Sequence, residues 1–151
     1  MPIIRKANYF DSRDIFNWRN DELTRYMSKK TDLIDWKVHS TWFATSLVNT
    51  DRLLLICEDE STSEKIAIVR FDVEDNRAII SINLSPKMRG KRKTKGCLID
   101  AISFFQKSFS GVRFIDAEIK SINIPSQKSF KAVGFLLVKE DADILYYEYA
   151  V

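Results

Sequence analysis

Near its middle the chain reads Leu84-Ser-Pro-Lys-Met-Arg-Gly-Lys-Arg-Lys-Thr-Lys-Gly96 and runs straight into the apolar stretch Cys97-Leu-Ile-Asp-Ala-Ile-Ser-Phe-Phe105. A β-like segment, Ala78 to Leu84, comes immediately before. A strand, a basic turn and a helix start in succession leave little freedom in how this part of the chain folds. The first N–H groups of a helix have no partner within it, and its dipole favours negative charge there. Lys87, Arg89, Lys91, Arg92, Lys93 and Lys95 surround the turn. The natural guest is a phosphate or pyrophosphate. Taken alone, a Lys/Arg cluster reads equally well as a solvated face, a nuclear-localisation signal or a nucleic-acid patch. Its place between strand and helix favours a defined site.

The rest of the composition narrows the partners. The formal net charge is only +3 over 151 residues, so the chain outside the basic turn is slightly acidic and the positive charge is local. That argues for a site and against a protein that coats nucleic acid. Hydrophobic residues make up 45% and charged residues 30%, as in an ordinary soluble domain. One domain over residues 1–151 is expected, large enough to bury roughly 70% of its unfolded surface. Cys57 and Cys97 both fall inside apolar runs and read as small core residues; a disulfide or a metal site would need different spacing and partners. The sequence has no secretory pattern and no apolar run long enough to span a bilayer, so a cytoplasmic location without membrane contact is expected. Nothing in the sequence indicates the oligomeric state.

Periodicity and turn signals predict a strand over 2–7 and a helix after Asp11 or Ser12. A short helix is predicted over 21–27 and an amphipathic one over 35–48. Strands follow over 53–57, 65–73 and 78–84, the last two joined through Glu74-Asp-Asn-Arg77 as a hairpin. Helices over 95–108 and 126–133 flank a strand over 114–120, with Gly134 as a helix stop. Strands over 135–139 and 144–149 end the chain. This is a mixed α/β layout, a central sheet covered on both faces.

This order resembles the GNAT superfamily of acyl-CoA-dependent N-acetyltransferases over nearly the whole chain, and three segments carry the resemblance. The first is the strand, turn and helix of residues 79–105, where the superfamily binds the acetyl-CoA pyrophosphate with an Arg/Gln-x-x-Gly-x-Gly/Ala pattern. The pattern falls on Arg89, Arg92 and Thr94, so both glycines are replaced. The second is Asn123-x-x-Ser126-x-x-x-Phe130-x-x-x-Gly134-Phe135. It is similar to the superfamily's Asn-x-x-Ser…Tyr-x-x-x-Gly-Phe segment beside the pantetheine and thiol. The third comprises Trp18-Arg19-Asn20-Asp21, His39-Ser-Thr-Trp42-Phe43 and Arg70-Phe71-Asp72. It resembles the branch that acetylates nucleotide-linked amino sugars, as in pseudaminic-acid synthesis. Trp-Arg-Asn also occurs in relatives that acetylate proteins.

The resemblance implies a set of roles. Acetyl-CoA is the co-substrate, with no metal. Backbone from Ile82, Asn83 and Leu84 would polarise the thioester, the donors preceding Pro86, which has no N–H. Arg89, Gly90, Lys91, Arg92, Lys93, Thr94 and Lys95 would hold pyrophosphate. Asn123, Ser126 and Phe130 would flank the thiol end, with Phe130 in place of the Tyr that protonates the leaving thiolate. Glu118 lies five residues before Asn123, where ribosomal-protein acetyltransferases carry a catalytic Glu, and is the first candidate base; the competing reading is a Lys or Arg ion pair at a sheet edge. His39, the one histidine, is the second candidate base and a substrate residue, against its ordinary reading as a packed side chain. Trp18 and Trp42 are core aromatics or stacking platforms. Arg19, Asn20 and Arg70 would meet diphosphate and sugar hydroxyls. The implied activity is acetyl transfer to a nucleotide-linked amino-deoxy sugar. The alternatives are a protein or peptide amine acetyltransferase, or a degenerate GNAT-like binding module whose turn contacts nucleic acid.

Overall fold

The computed structural model describes residues 2–151. Strand β1 (Pro2–Lys6) leads through a short 3-10 turn to helices α1 (Ser12–Asn20), α2 (Glu22–Met27) and α3 (Trp36–Val48). Three consecutive strands follow: β2 (Arg52–Asp59), β3 (Lys65–Glu74) and β4 (Arg77–Leu84). Helix α4 (Thr94–Ser108), strand β5 (Phe114–Lys120), helix α5 (Ile124–Val133) and strands β6 (Leu136–Asp141) and β7 (Ile144–Ala150) complete the chain. The seven strands form one sheet in the order β1-β2-β3-β4-β5-β7-β6. Every pair is antiparallel except β4 with β5. Among the described residues no helix is long and apolar enough to cross a membrane.

Period-two alternation sorts the strand side chains into two cores. Leu53 and Leu55 of β2, Val69 and Phe71 of β3, and Ala78 and Ile80 of β4 pack against Leu98, Ala101, Ile102 and Phe105 of α4. Phe71 and Phe105 stack with ring centroids 4.2 Å apart. The opposite residues of the same strands, Leu54, Ile56 and Ile68, join Ile15, Trp18 and Phe43 from α1 and α3. The helices therefore cover both faces, as the sequence pattern predicts.

Helix α1 starts where expected, with Asp11 at its N-cap position. The Asp11 side chain makes no cap hydrogen bond to that helix. It is 1% exposed, and its carboxylate accepts from Arg5 at 2.8 and 2.9 Å and from the Asn8 N–H, with Lys65 Nζ at 2.8 Å. The cysteine reading needs correction. Both cysteines are fully buried, as expected of core residues, but they are joined as a Cys57–Cys97 disulfide that ties β2 to the first full turn of α4. Packing of α4 on the sheet brings together two residues whose separation along the chain, 40 residues, carries no pairing signal.

Candidate active site

The parallel contact between β4 and β5 is short. Arg77 pairs with Phe114, Ala78 with Ile115 and Ile79 with Asp116, and pairing stops there although both strands continue. Arg77 closes the paired end, donating to Asp116 at 2.9 and 2.7 Å and to Glu148 of β7. Beyond Ile79 and Asp116 the strands part and leave a gap.

Ladder geometry determines which backbone groups face that gap. Opposed residues of an antiparallel pair alternate between exchanging both hydrogen bonds and pointing them away. The Ser85 N–H donates to the Ile66 carbonyl at 2.8 Å, so Asn83 and Ser81 bond to β3 while Ile82 and Leu84 point away from it. On the other side, the Ser121 N–H donates to the Asp143 carbonyl at 2.8 Å. Ile119 and Ala117 thus bond to β7, and Glu118 and Lys120 turn their backbone toward β4. Ile82 and Leu84 face Glu118 across two unpaired strand edges, which an extended ligand can bridge as an added strand. The expectation for Asn83 is corrected on the same ground, since its N–H is committed to β3.

The basic turn stands at the open end. Pro86–Met88 form a 3-10 turn, Gly90 takes φ +73° and Arg92 takes φ +57°. Arg92 thus adopts the left-handed conformation that glycine reaches at least cost. Lys93 precedes α4 without a side-chain cap bond, so the N–H groups of Thr94, Lys95 and Gly96 lack intrahelical partners. Lys91, Arg92 and Lys95 are exposed. Lys93 lies 3.5 Å from Asp59. Arg89 is engaged elsewhere: its guanidinium pairs with Asp21, the N-cap of α2, and donates to Thr24 Oγ1 at 2.9 Å. Burial pushes the Asp21 pKa up, and the hydrogen bond from Arg89 more than offsets it, leaving the carboxyl below its ordinary value.

Glu118 points to the face opposite α4, where its carboxylate pairs with Lys29 from the segment between α2 and α3. The ion-pair reading of Glu118 is thus realised, in the middle of the sheet and at the lip of the gap. Two strands away, Arg70 of β3 sits opposite Ser81 of β4. Arg19, Arg70 and Arg52 gather over the Trp42 ring, with guanidinium carbons 4.6, 5.6 and 5.6 Å from its centroid. Asp72 answers two of them, Arg52 at 2.5 Å and Arg70 at 3.0 Å, though the buried Arg70 Nε makes no hydrogen bond. The Arg19 guanidinium hydrogen-bonds to neutral His39, at 3.2 Å. Burial first, then repulsion from Arg70, lowers the Arg19 pKa.

Several expected site residues serve the scaffold instead. His39 is 0% exposed, ringed by Phe16, Trp36, Trp42 and Phe43. It cannot touch an acceptor, so it is neither base nor substrate residue; it positions Arg19. Trp18 is 8% exposed within the α1–α3 core, leaving no open face for a sugar. The Trp42 ring is covered by guanidinium groups. Asn20 spends its side chain on Ile34, donating to its carbonyl at 2.8 Å and accepting from its N–H at 2.7 Å. Phe130 is 3% exposed, edge-on to Phe135 at 5.0 Å, and is core rather than a cofactor contact. The Asn123 side chain caps α5 by accepting from the Ser126 N–H at 3.3 Å. Sequence reasoning gave no role to Asp21 and Asp72, though it noted their segments, and missed Lys29 and Thr24, whose partners lie 89 and 65 residues away. Gln127 was missed as well; it donates to the Lys120 and Ser121 carbonyls and anchors α5 to the end of β5.

No protein-family model matches the sequence, and no curated protein matches it. Solved structures do. An acetyltransferase of the GNAT family from Streptococcus pneumoniae aligns with a TM-score of 0.79 at 12% identity, over 100% of this chain and 99% of that one. The fold is the GNAT fold. Spermidine N-acetyltransferase from Vibrio cholerae, in complex with CoA and spermine, gives a TM-score of 0.85 at 14% identity, over 99% of this chain and 95% of that one. Campylobacter jejuni N-acetyltransferase PseH, in complex with acetyl coenzyme A, gives 0.76 at 16% identity over 99% of both chains. The parted β4 and β5, and the basic turn at their open end, belong to this GNAT architecture as it occurs here.

Proposed function

We propose that the protein is an acetyl-CoA-dependent N-acetyltransferase acting on the amino group of a nucleotide-linked amino-deoxy sugar. The observation that carries the reading is the gap, whose two edges present the unpaired backbone of Ile82, Leu84 and Glu118 beneath an uncapped helix N-terminus. These residues fit an extended pantetheine arm ending in a pyrophosphate. Lys91, Arg92, Lys95 and the first N–H groups of α4 would take the phosphates. The relatives solved with CoA or acetyl coenzyme A support the same assignment.

Acetyl-CoA supplies an activated acetyl thioester. The N–H groups of Ile82 and Leu84 are the donors available to the thioester oxygen. Glu118 takes the proton that the attacking amine must lose. Phe130 has no proton to give, so the leaving thiolate departs without help from that position; a CoA thiol is acidic enough to allow this. Transfer is direct, with no covalent enzyme intermediate.

The acceptor assignment rests on charge. Arg19, Arg70 and Arg52 gather over Trp42, and the one carboxylate among them, Asp72, pairs with Arg52 and Arg70 and leaves Arg19 without a counter-charge. A partly buried guanidinium without a counter-charge favours an anionic group on the acceptor and disfavours a polycation. A nucleotide sugar carries a diphosphate across the ring from its amine, and PseH is among the structural relatives. The test is thiol release with a UDP- or dTDP-linked amino sugar, spermidine and a peptide amine, each with acetyl-CoA. Turnover with the nucleotide sugar is expected, and Glu118→Gln should lower it more than it lowers CoA affinity, most strongly at low pH. Turnover with the peptide alone would move the acceptor assignment to a protein amine. Absence of CoA binding by calorimetry would overturn the enzyme reading.

A further inference from the structure

The side chain of Lys29 is 51% exposed, yet its ammonium is held against Glu118, 89 residues away in sequence. The segment that carries it is fastened on every side. Asp21 and Thr24 at the start of α2 bind Arg89. The Tyr26 carbonyl accepts from Lys120 Nζ at 2.9 Å. Asn20 pins the far end through its two bonds to Ile34. A primary amine is thereby presented to the one carboxylate placed as a base, at the lip of the gap. An acceptor amine would have to occupy the same position.

We propose that Lys29 is itself an acetyl acceptor, so that the enzyme modifies its own chain when no small amine is present. The inference rests on the N-acetyltransferase reading above. The Lys29 ammonium gives one proton to Glu118, and the neutral Nζ attacks the thioester carbonyl carbon. A C–N bond forms and the C–S bond breaks. The second Nζ proton passes to the CoA thiolate, and the proton on Glu118 is lost to water. The products are Nε-acetyl-Lys29 and free CoA thiol. The amide no longer carries the charge that paired with Glu118, so the modified chain has an unmasked carboxylate for an external amine.

The test is acetylation of the purified protein by acetyl-CoA with no acceptor added, read by peptide mass spectrometry over time. Lys29 should gain one acetyl group faster than its exposed neighbour Lys30 by about ten-fold or more, since a positioned base contributes on the order of 10²–10⁴ to such a step. Glu118→Gln should erase that preference while Lys30 continues at its slow chemical rate. The urea-unfolded chain should label both lysines alike. Lys29→Arg keeps the charge and the fold, removes the label, and should leave CoA affinity by calorimetry unchanged. Equal labelling of Lys29 and Lys30 in the folded protein overturns the proposal, as does a preference that survives Glu118→Gln. If CoA binds and an external amine turns over while Lys29 stays unmodified, this inference alone fails. If CoA does not bind, the function reading fails with it.

Discussion

The Arg19 guanidinium donates to Nδ1 of His39 across 3.2 Å, and Nε2 of the same ring lies 3.0 Å from the Ser12 carbonyl. An arginine can only donate and a carbonyl can only accept, so His39 is the neutral tautomer with its proton on Nε2. The histidine is a buried spacer that ties the Arg19 guanidinium of α1 to the Ser12 carbonyl.

The first prediction follows from that bond. Burial chiefly, and then Arg19 and Arg13, push the His39 pKa down, with the Ser12 carbonyl opposing. Above pH ~6.5 both folded and unfolded chains hold it neutral. Below that, the unfolded chain takes a proton the folded one refuses, so stability falls as pH drops from ~6.5 toward the lowered folded value. His39→Leu should remove this slope and cost about 1–3 kcal/mol, because the partly buried Arg19 guanidinium loses its acceptor. With an anionic acceptor its KM should rise while kcat changes little. Urea midpoints between pH 7 and 5 check the slope. An identical slope in both proteins would show that another group titrates.

Arg92→Gly separates two effects of one residue. At φ +57° the arginine already holds the backbone that glycine would give, so it does not distort the turn. The substitution relieves strain of about 1–2 kcal/mol and should raise the melting temperature. It also removes an exposed positive charge facing the uncapped helix. CoA binding should weaken by about 1.5–3 kcal/mol, the size of a charged hydrogen bond, as read by calorimetry. Tighter binding would mean the side chain obstructs the phosphates.

The elements were legible because burial follows period. The continuous apolar runs of β2 and β3, the alternation of β5 and the helical spacing of Trp36, His39, Phe43 and Leu47 mark the elements before any tertiary contact is known. The gap was not legible from the residues alone. It depends on where β4 and β5 stop pairing, a matter of register between segments 37 residues apart. Polar side chains were hardest to assign. Asn20 and Arg19 are neighbours of equal promise in sequence, yet one is spent on the Ile34 backbone and the other lies over the Trp42 ring. Arg89 matched a phosphate-binding pattern, and its partner Asp21 lies 68 residues away. Short-range pattern cannot report which of two distant opposite charges a guanidinium will meet.

Asp11 makes the acid limb of the stability profile predictable. Burial would raise its pKa, but the hydrogen bonds from Arg5 and Lys65 prevail and bring it to about 2. Its contribution is complete above the unfolded value of 3.8 and is lost as pH falls from there through about 2. Asp11→Asn leaves Arg5 and Lys65 without their buried partner and should cost about 3–5 kcal/mol at neutral pH, as breaking a buried pair does. Denaturant titrations at pH 7 and pH 3 test this. The gap between variant and wild type should narrow at the lower pH.

The Cys57–Cys97 bond ties stability to the cofactor site. It lies in a buried cluster with Met88 of the basic turn, and Ile82 and Leu84 of the gap edge pack against that cluster. Opening a loop of 40 residues should cost on the order of 3–4 kcal/mol. Because both sulfurs are fully buried, reductant should act only on the unfolding chain, so the thermal midpoint should fall with dithiothreitol present while the spectrum of the cold protein stays unchanged. The double variant Cys57→Ala/Cys97→Ala should match the reduced midpoint. It should also bind CoA more weakly than a comparably destabilised Ile66→Ala chain, because Cys97 fixes the α4 turn whose N–H groups face the phosphates. Amide exchange at Thr94, Lys95 and Gly96 would then be faster in the double variant alone. Two free thiols titrated from the unreduced, denatured protein would remove the basis of this prediction.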